Sequence, residues 1–354
     1  MLYVEAQKAM YGTLKAAFLF YKKFFKGMKT KGFVVNPYEP CVANKIIGDK
    51  QMTISWHVDD VKVSHVDAKE VDEYVKWLKT MYEDEIGKVK VSRGKIHDYL
   101  GMTLDYTVPG KVKINMVEYV KRMINDFPEG DLVEMKTPAA NHLFEVRENV
   151  EKVPEDKAVI FHNLVARGLF LCKRARPDIQ TAIAFLTTRV SEPDQDDWKK
   201  LRRLIGYLKG TEKFVLTLCA DSAWVAKWYV DAAYAVHNNM KSHTGGVLSL
   251  GEGAVYATST KQKINTKSST ESELVGADDV MGQILWTNYF LEAQGYKTND
   301  TVLFQDNKSA ILLEKNGKAS SGKRTKHINI RYFLLKTELK ARSLMSSIAQ
   351  PMKC

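Results

Sequence analysis

Residues 228–234, with the sequence WYVDAAY, place one acidic residue, Asp231, in the middle of an apolar run. Aromatic and β-branched residues favour strands, whereas aspartate is depleted in them. An unpaired carboxylate is also costly to bury among such residues. The run therefore predicts a core strand whose single acid has a chemical task.

Two further acids occupy comparable places in the second half of the chain. Glu273 lies at the start of a long helix predicted over about 270–292, and Asp306 ends a strand predicted over 301–305. Three carboxylates on neighbouring core elements repel one another unless a cation lies between them. Hard oxygen ligands of this kind suit Mg²⁺ or Mn²⁺. The three acids together are a candidate metal site.

Both later acids also have a purely structural interpretation. Asp306 can cap the helix that follows it, and Glu273 can complete a capping box with Thr270. Glu271 can form the same kind of box with Ser268. On a helical wheel Glu273 falls on the apolar stripe and Glu271 at its edge. This placement favours Glu273 as the helix acid and leaves Glu271 as the second choice.

Composition and charge narrow the class of function. The 354 residues include 53 Lys and Arg against 42 Asp and Glu, a net charge of +11. A chain this basic is typical of proteins that meet a polyanion. The four cysteines form no CxxC pair, which argues against a structural zinc site or a disulfide framework. No stretch approaches the ~20 apolar residues of a membrane helix, and we expect an intracellular protein.

Periodicity predicts the elements of the first 212 residues. A hairpin over 52–65 surrounds the pair Asp59-Asp60, and Asp67 opens the next helix. Short strands are predicted near 87–93, 99–106 and 111–116, followed by helices over 117–126, 158–174, from Pro177 onward, and over 195–209. The last three helices form a connector.

From residue 213 the pattern changes. Strands predicted near 213–220, 226–236, 244–250 and 253–259 form an antiparallel sheet. Later elements are the helix over 270–292, the strand over 301–305, a helix over 307–315 and a last helix near 327–340. Strands mixed with helices in this way are typical of a mixed α/β domain.

Ordered sequence blocks carry a family resemblance. In the second half they are YVDA (229–232), TGG (244–246), SSTESEL (268–274), QDNKSAI (305–311) and KRTKHI (323–328). In the first half they are KAMYG (8–12), VDD (58–60), YLGM (99–102), RPDI (176–179) and YLKGT (207–211). In this order they resemble copia-type retrotransposon polyproteins, with a truncated reverse transcriptase followed by a ribonuclease H domain.

The resemblance implies an α+β fold of mixed α/β character in four parts. These are a partial reverse-transcriptase palm and thumb over 1–127, a mostly helical connector over 128–212, a ribonuclease H-like domain with a five-stranded mixed sheet over 213–342, and a tail over 343–354.

The resemblance also implies roles for the acids. Asp231, Glu273 and Asp306 are expected to hold two Mg²⁺ (or Mn²⁺) ions on the scissile phosphate of an RNA–DNA hybrid. His327 is expected to lie near the product phosphate and relay protons, although a plain surface histidine is an equal interpretation. Many family members have Asp two residues later, where this chain has Asn329. That difference weakens the expected site of the second ion.

Asp59 and Asp60 resemble the aspartate pair of a polymerase palm, and Asp59 is expected to bind a metal weakly. The other palm aspartate lies, in the family, upstream of the KAMYG block, where this chain begins. The resemblance therefore implies that the chain alone does not synthesise DNA. Without the resemblance, the pair is simply a polar hairpin turn.

Basic residues flank the candidate acids and are expected to bind nucleic acid. They are Lys261, Lys263 and Lys267 before the Glu273 helix, and Lys323, Arg324 and Lys326 after the strand that ends at Asp306. Phosphate contacts position a nucleic acid without reading its sequence. The expected partner is an RNA–DNA hybrid or another nucleic acid, with other polyprotein segments as further partners and no membrane. The expected setting is the cytoplasm, a virus-like particle or the nucleus.

Two functions follow. The first is divalent-metal-dependent hydrolysis of RNA in RNA–DNA hybrids by a retrotransposon-derived reverse transcriptase/ribonuclease H fragment. The alternative is a non-catalytic nucleic-acid-binding remnant of a decayed element. Three features favour it: Asn329, the short C-terminus, and the polymerase fingers, which the resemblance implies lie upstream of this sequence. Metal-dependent turnover distinguishes the two.

Overall fold

The computed structural model describes residues 10, 12–84, 87–221, 225–296, 300–316 and 344–348. The chain divides into two compact units. The first comprises Met1–Leu100 with Tyr289–Tyr296, and the second comprises Gly101–Asn288 with Lys297–Cys354. The finer boundaries at residues 127, 212 and 342 stay predictions.

The first unit is built on a four-stranded antiparallel sheet in the order β1-β2-β3-β4. Its strands are β1 (Val34–Asn36), β2 (Glu39–Ile47), β3 (Lys50–His57) and β4 (Asp60–Ser64). In β3 the alternate residues Met52, Ile54 and Trp56 are buried, as the period of two in a strand requires. The hairpin predicted over 52–65 is thereby confirmed.

Two helices supply the other half of this core. They are α1 (Leu14–Thr30) and α2 (Ala68–Tyr82). Phe24 of α1 and Tyr74 of α2 belong to the same buried cluster as Ile54. Asp67 caps α2 by accepting a hydrogen bond from the Lys69 backbone N–H at 2.9 Å, which is the helix start that the sequence predicts.

The strand predicted near 87–93 is wrong, because residues 87–93 have no regular structure. This run alternates two valines with lysines, and Val91 is exposed, so it has too little apolar surface to bury as a strand. The strand predicted over 99–106 is interrupted at Leu100 and Gly101, whose φ angles are 51° and 78°. The result is two short strands, β5 (Ile96–Tyr99) and β6 (Met102–Asp105).

The second unit contains β6 in an antiparallel sheet with the order β11-β8-β7-β6. The further strands are β7 (Lys111–Asn115), β8 (Leu216–Ala220) and β11 (Gly251–Glu252). Helices build one large core beside it, and their predicted positions are confirmed. They are α3 (Val117–Asn125), α4 (Glu155–Cys172), a 3₁₀ turn (Pro177–Ile179), α5 (Gln180–Thr187) and α6 (Gln195–Gly210).

A five-stranded mixed sheet completes the second unit, in the order β12-β10-β9-β13-β14. Neighbouring strands are antiparallel from β12 to β9 and parallel from β9 to β14. The elements are β9 (Val225–Ala233), β10 (His243–Ser249), β12 (Tyr256–Lys261), α7 (Ser269–Ala293), β13 (Asp300–Gln305), α8 (Lys308–Asn316) and β14 (Leu344–Ile348). The predicted mixed α/β class and the five-stranded mixed sheet are confirmed.

The membership of this sheet differs from the prediction. The run at 213–220 forms β8, which pairs with β7 and β11 instead of joining the five-stranded sheet. The fifth strand is β14, in the segment that the sequence analysis treats as a tail. Period-two patterning identifies a strand but not its partner. For this reason the predicted number of five strands is right, whereas one of the predicted strands belongs to another sheet. The helix predicted near 327–340 lies outside the described residues.

Small residues let α7 approach the five-stranded sheet closely. A Cβ atom on Gly246 of β10 would lie 2.7 Å from Val280 Cγ1, and one on Gly276 of α7 would lie 3.4 Å from Ala232 Cβ. Buried Trp228 of β9 packs in the same cluster as α7 residues. This close contact carries the first turn of α7 to the end of β9. Among the described helices, none is long and apolar enough to cross a membrane.

Candidate metal centre

Asp231, Glu273 and Asp306 come together in the second unit. Each offers a carboxylate oxygen, and these three atoms all lie within 4.8 Å of one another. β9 and β13 are parallel neighbours whose register pairs Tyr229 with Phe304. Two residues farther along these strands stand Asp231 and Asp306, side by side. The start of α7 adds Glu273 from above the strand ends.

Glu273 is held by groups from both strands. The backbone N–H of Ala232, the residue after Asp231, donates to Glu273 Oε1 at 3.3 Å. The side-chain amide of Gln305, the residue before Asp306, lies 3.4 Å from Glu273 Oε2. The Glu273 side chain is nearly fully buried, whereas Asp231 and Asp306 are exposed. One acid of the site is thus fixed in the protein, and two face solvent.

Burial and neighbouring negative charge raise the pKa of two of these acids, Glu273 and Asp231. Burial and the nearby Asp231 carboxylate raise the pKa of Glu273 to about 8. Burial and Asp306 raise the pKa of Asp231 above its ordinary value. Both causes penalise the ionised form, and a cation between the oxygens would remove the penalty. Carboxylate oxygens at this spacing can hold Mg²⁺ or Mn²⁺.

The helix-capping roles that the sequence also allowed for these acids belong to neighbouring residues. Glu271 accepts a hydrogen bond from the Lys267 backbone N–H at 2.7 Å, while its own backbone N–H donates to Ser268 Oγ at 3.2 Å. Glu271 therefore belongs to the start of α7 and lies outside the three-acid group. At the start of α8, Asn307 and not Asp306 accepts from the Ala310 N–H.

The three predicted lysines within the described residues precede α7 in the chain. Lys261 ends β12, and Lys263 and Lys267 lie in the loop that follows; all three are exposed. Lys241 donates to the Lys263 backbone oxygen at 2.8 Å, and burial together with Lys241 lowers the pKa of Lys261. No salt bridge joins these cations to an acid within the described ranges, so the loops form a positive surface.

Several predicted residues lie outside the described residues. They are His327, Lys323, Arg324 and Lys326, together with Asn329. Their predicted roles stay predictions.

The predicted palm pair, Asp59 and Asp60, lies at the turn between β3 and β4 in the first unit, and both residues are exposed. Val58 opens the turn with a φ angle of 53°, which is uncommon for a β-branched residue. In the part of the chain that the structure describes, neither aspartate belongs to a group of three metal-ligating side chains.

One residue at the centre was not among those predicted from the sequence. Gln305 is completely buried at the end of β13, and its side-chain amide contacts Glu273 twice. The amide donates to the backbone oxygen of Glu273 at 3.1 Å and also contacts the Glu273 carboxylate. The available signal was the one that marked Asp306, a polar residue at the end of an apolar strand. It was overlooked because an uncharged amide does not suggest a metal site.

Comparison with known proteins places these observations in context. Residues 3–141 match the reverse transcriptase (RNA-dependent DNA polymerase) family. The retrovirus-related Pol polyprotein from transposon TNT 1-94 of Nicotiana tabacum is 27% identical over 355 residues, which cover 96% of this chain and 26% of the polyprotein. The chain thus spans 26% of the length of that curated relative.

Two solved structures show weak overall likeness. Ribonuclease H1 from the halophilic archaeon Halobacterium salinarum is 18% identical, with a TM-score of 0.24, over 36% of this chain and 86% of its own. The protease-reverse transcriptase of prototype foamy virus is 13% identical, with a TM-score of 0.25, over 96% of this chain and 38% of its own. Likeness at this level does not indicate function.

Proposed function

We propose, from the premise that this chain is a relative of the copia-type retrotransposon Pol polyproteins, that it hydrolyses the RNA strand of RNA–DNA hybrids in a reaction that depends on divalent metal ions. The observation that supports this proposal is the convergence of Asp231, Glu273 and Asp306 within 4.8 Å. A nuclease of this kind needs several carboxylates around one phosphate position.

The residues present fit a divalent cation. Three oxygen donors are close enough to share an ion, and burial together with the nearby Asp231 carboxylate raises the pKa of Glu273. Asp231, Glu273 and Asp306 would hold Mg²⁺ or Mn²⁺, and a bound ion would supply an activated water and a counter-charge for the leaving oxygen. The predicted second ion depends on ligands beyond these three and belongs to the proposal.

The protein's own contribution is binding and orientation. Glu273 is fixed by Ala232 and Gln305, so it needs no rearrangement when a ligand arrives. Exposed Asp231 and Asp306 leave an open side for a phosphate. Lys261, Lys263 and Lys267 provide positive charge that attracts the nucleic-acid backbone without selecting a sequence. The substrate class is therefore a polyanion recognised by its backbone and shape.

Cleavage of an end-labelled RNA–DNA hybrid with Mg²⁺ or Mn²⁺ tests the proposal. Asp231→Asn should abolish cleavage, because a neutral amide oxygen lacks the negative charge with which a carboxylate binds a divalent cation. Asp300→Asn is the matched control, since Asp300 starts the strand that ends beside Asp306 and lies outside the acid group. Hybrid binding without cleavage by the wild type would instead support a non-catalytic nucleic-acid-binding protein.

We also propose that the chain alone does not extend a primer. Nucleotidyl transfer uses two metal ions held by several carboxylates, and Asp59 and Asp60 have no third acid beside them among the described residues. Primer extension on an RNA template, with dNTPs and either metal, should give no product. Template-dependent extension that Asp59→Asn abolishes would refute this part.

A further inference from the structure

The strands that carry the two exposed acids also supply the two donors to Glu273. β9 provides Asp231 and, next in sequence, the Ala232 N–H. β13 provides the Gln305 amide, and Asp306 follows directly. Each strand thus couples an acid of the site to a group that contacts Glu273. The carboxylate is held at both oxygens, one from each strand.

The side-chain amide of Gln305 costs free energy to bury at its position. The residue is completely buried behind the apolar run Val302–Phe304. Its Nε2 donates to the Glu273 backbone oxygen at 3.1 Å and lies 3.4 Å from Glu273 Oε2. Its Oε1 is buried and has no hydrogen-bond partner among the described residues. Burial of an amide that is only partly satisfied costs free energy, so an apolar residue would serve a purely structural core better.

The hydrogen bonds constrain how Glu273 can bind a cation. An ionised carboxylate has about four lone-pair sites. The Ala232 N–H uses one site on Oε1, and Gln305 uses one on Oε2. These contacts oppose rotation of the carboxylate and leave its remaining sites for a ligand shared with Asp231 and Asp306. Partners that orient metal ligands in this way typically change metal affinity or activity by 10–100-fold when they are replaced.

We propose that Gln305 is a positioning residue, which fixes the Glu273 carboxylate for metal binding through its contacts with the backbone and side chain of that residue. This inference rests on the proposed function, because it assumes that Glu273 is a metal ligand. Gln305 itself touches neither substrate nor ion in this role. It acts by holding Glu273 in one orientation.

A second buried glutamine separates positioning from simple support of the helix. Gln262 donates to the Ser272 backbone oxygen at 2.9 Å and to Thr244 Oγ1 at 3.1 Å. It too is buried, and its Oε1 has no partner within the described residues. Gln262 and Gln305 therefore bind successive carbonyls of α7, but only Gln305 contacts the Glu273 carboxylate. Gln262 is the matched control.

The experiment compares Gln305→Met, Gln262→Met and the wild type as full chains. Methionine keeps the length and flexibility of glutamine and removes both amide groups. Four quantities are measured: the Mn²⁺ dissociation constant by calorimetry, the urea midpoint of unfolding without metal, and kcat and KM on the labelled hybrid. Binding and kinetics are recorded well below the unfolding temperature of the least stable variant.

We expect Gln305→Met to raise the Mn²⁺ dissociation constant by about 10–100-fold and to lower kcat while KM for the hybrid stays unchanged. Gln262→Met should shift the unfolding midpoint but leave the Mn²⁺ constant near that of the wild type. Equal Mn²⁺ affinity in Gln305→Met and wild type would overturn the inference, as would equal weakening in both variants.

The outcomes also separate this inference from the proposed function. A wild type that binds Mn²⁺ through a Gln305-dependent site but cleaves no hybrid refutes the nuclease and keeps the positioning role. A wild type that cleaves while Gln305→Met leaves binding and kcat unchanged keeps the nuclease and refutes the positioning role. A wild type that binds no Mn²⁺ overturns the positioning role.

Discussion

Replacing Glu273 with glutamine removes the charge of a buried carboxylate that faces two other acids. Burial and Asp231 raise the pKa of Glu273 from an ordinary 4.5 to about 8 in the metal-free protein. A raised folded-state pKa contributes stability that is complete below the unfolded value and is lost as the pH rises through the folded one. The metal-free wild type should therefore lose stability between about pH 4.5 and pH 8.

The size of the effect follows from the change in pKa. Each pKa unit corresponds to about 1.4 kcal/mol of free energy against the ionised form, so the raised pKa of Glu273 corresponds to at most about 5 kcal/mol. Water reaches the exposed neighbours Asp231 and Asp306 and screens the repulsion. We therefore expect the wild type to lose only about 1–2 kcal/mol of its free energy of unfolding over this pH range.

Glutamine has nearly the size and shape of glutamate and can keep one of the present hydrogen bonds. Its oxygen can still accept from the Ala232 N–H, as Glu273 Oε1 does now. Its new amide takes the place of Glu273 Oε2, 3.4 Å from Gln305 Nε2, so the Gln305 amide must turn before its buried Oε1, which lacks a partner among the described residues, can accept from it. The substitution should therefore remove a charge without creating a cavity, and the variant should be more stable than the wild type at alkaline pH.

Urea unfolding in EDTA at pH 5 and pH 9 measures this prediction. The stability of Glu273→Gln relative to the wild type should increase by about 1–2 kcal/mol from pH 5 to pH 9. Saturating Mn²⁺ should stabilise the wild type more than the variant, because a ligand that binds only the folded state adds stability. A difference between variant and wild type that does not change with pH would refute the electrostatic reasoning.

Three further predictions concern the rest of the second unit. Gly246→Ala should destabilise by about 1–3 kcal/mol in urea unfolding, because its Cβ would lie 2.7 Å from Val280 Cγ1; an unchanged midpoint would contradict the close approach of α7. Burial lowers the pKa of His243 to about 4, so stability should fall as the pH drops from 6.5 towards 4, since the unfolded chain takes up a proton that the folded chain refuses; His243→Gln should flatten this dependence. Arg176→Ala should lower the free energy of unfolding by about 2–3 kcal/mol, because it removes the ion pair with Asp178. The loss is less than the ~3–5 kcal/mol of a fully buried pair because Asp178 is partly exposed. Arg176→Lys should recover only part of the loss in the same assay, since lysine cannot form the bidentate contact.

The sequence was sufficient to find the acids but not their contacts. Asp231 stands out because aspartate is rare inside a strand, and Glu273 stands out because it falls on the apolar stripe of α7. Their meeting with Asp306 depends on parallel pairing of β9 with β13. Parallel pairing joins strands that are far apart in sequence, and no local pattern encodes it.

The same limit explains the exchanged strand. β8 has a clear strand pattern, but it pairs with β7, more than 100 residues earlier, by an antiparallel register that begins with Lys111 opposite Cys219. β14 is the short, partly polar segment LMSSI, which has little periodicity to recognise. It gains its place by parallel pairing with β13. In both cases the tertiary fold determines which sheet the strand joins, because strand formation depends strongly on the neighbouring strands.

The arrangement around Glu273 links stability to metal binding. Close packing at Gly246 and Gly276 brings α7 to the sheet, and this packing forces a buried acid towards two others. Without a cation, burial and the neighbouring carboxylates penalise the ionised form of Glu273, and both raise its pKa. With a cation the same three oxygens become ligands, and the repulsion becomes attraction to the ion. Substitutions that relieve the repulsion should therefore strengthen the metal-free fold and weaken metal binding together, whereas substitutions elsewhere in the core should change stability alone.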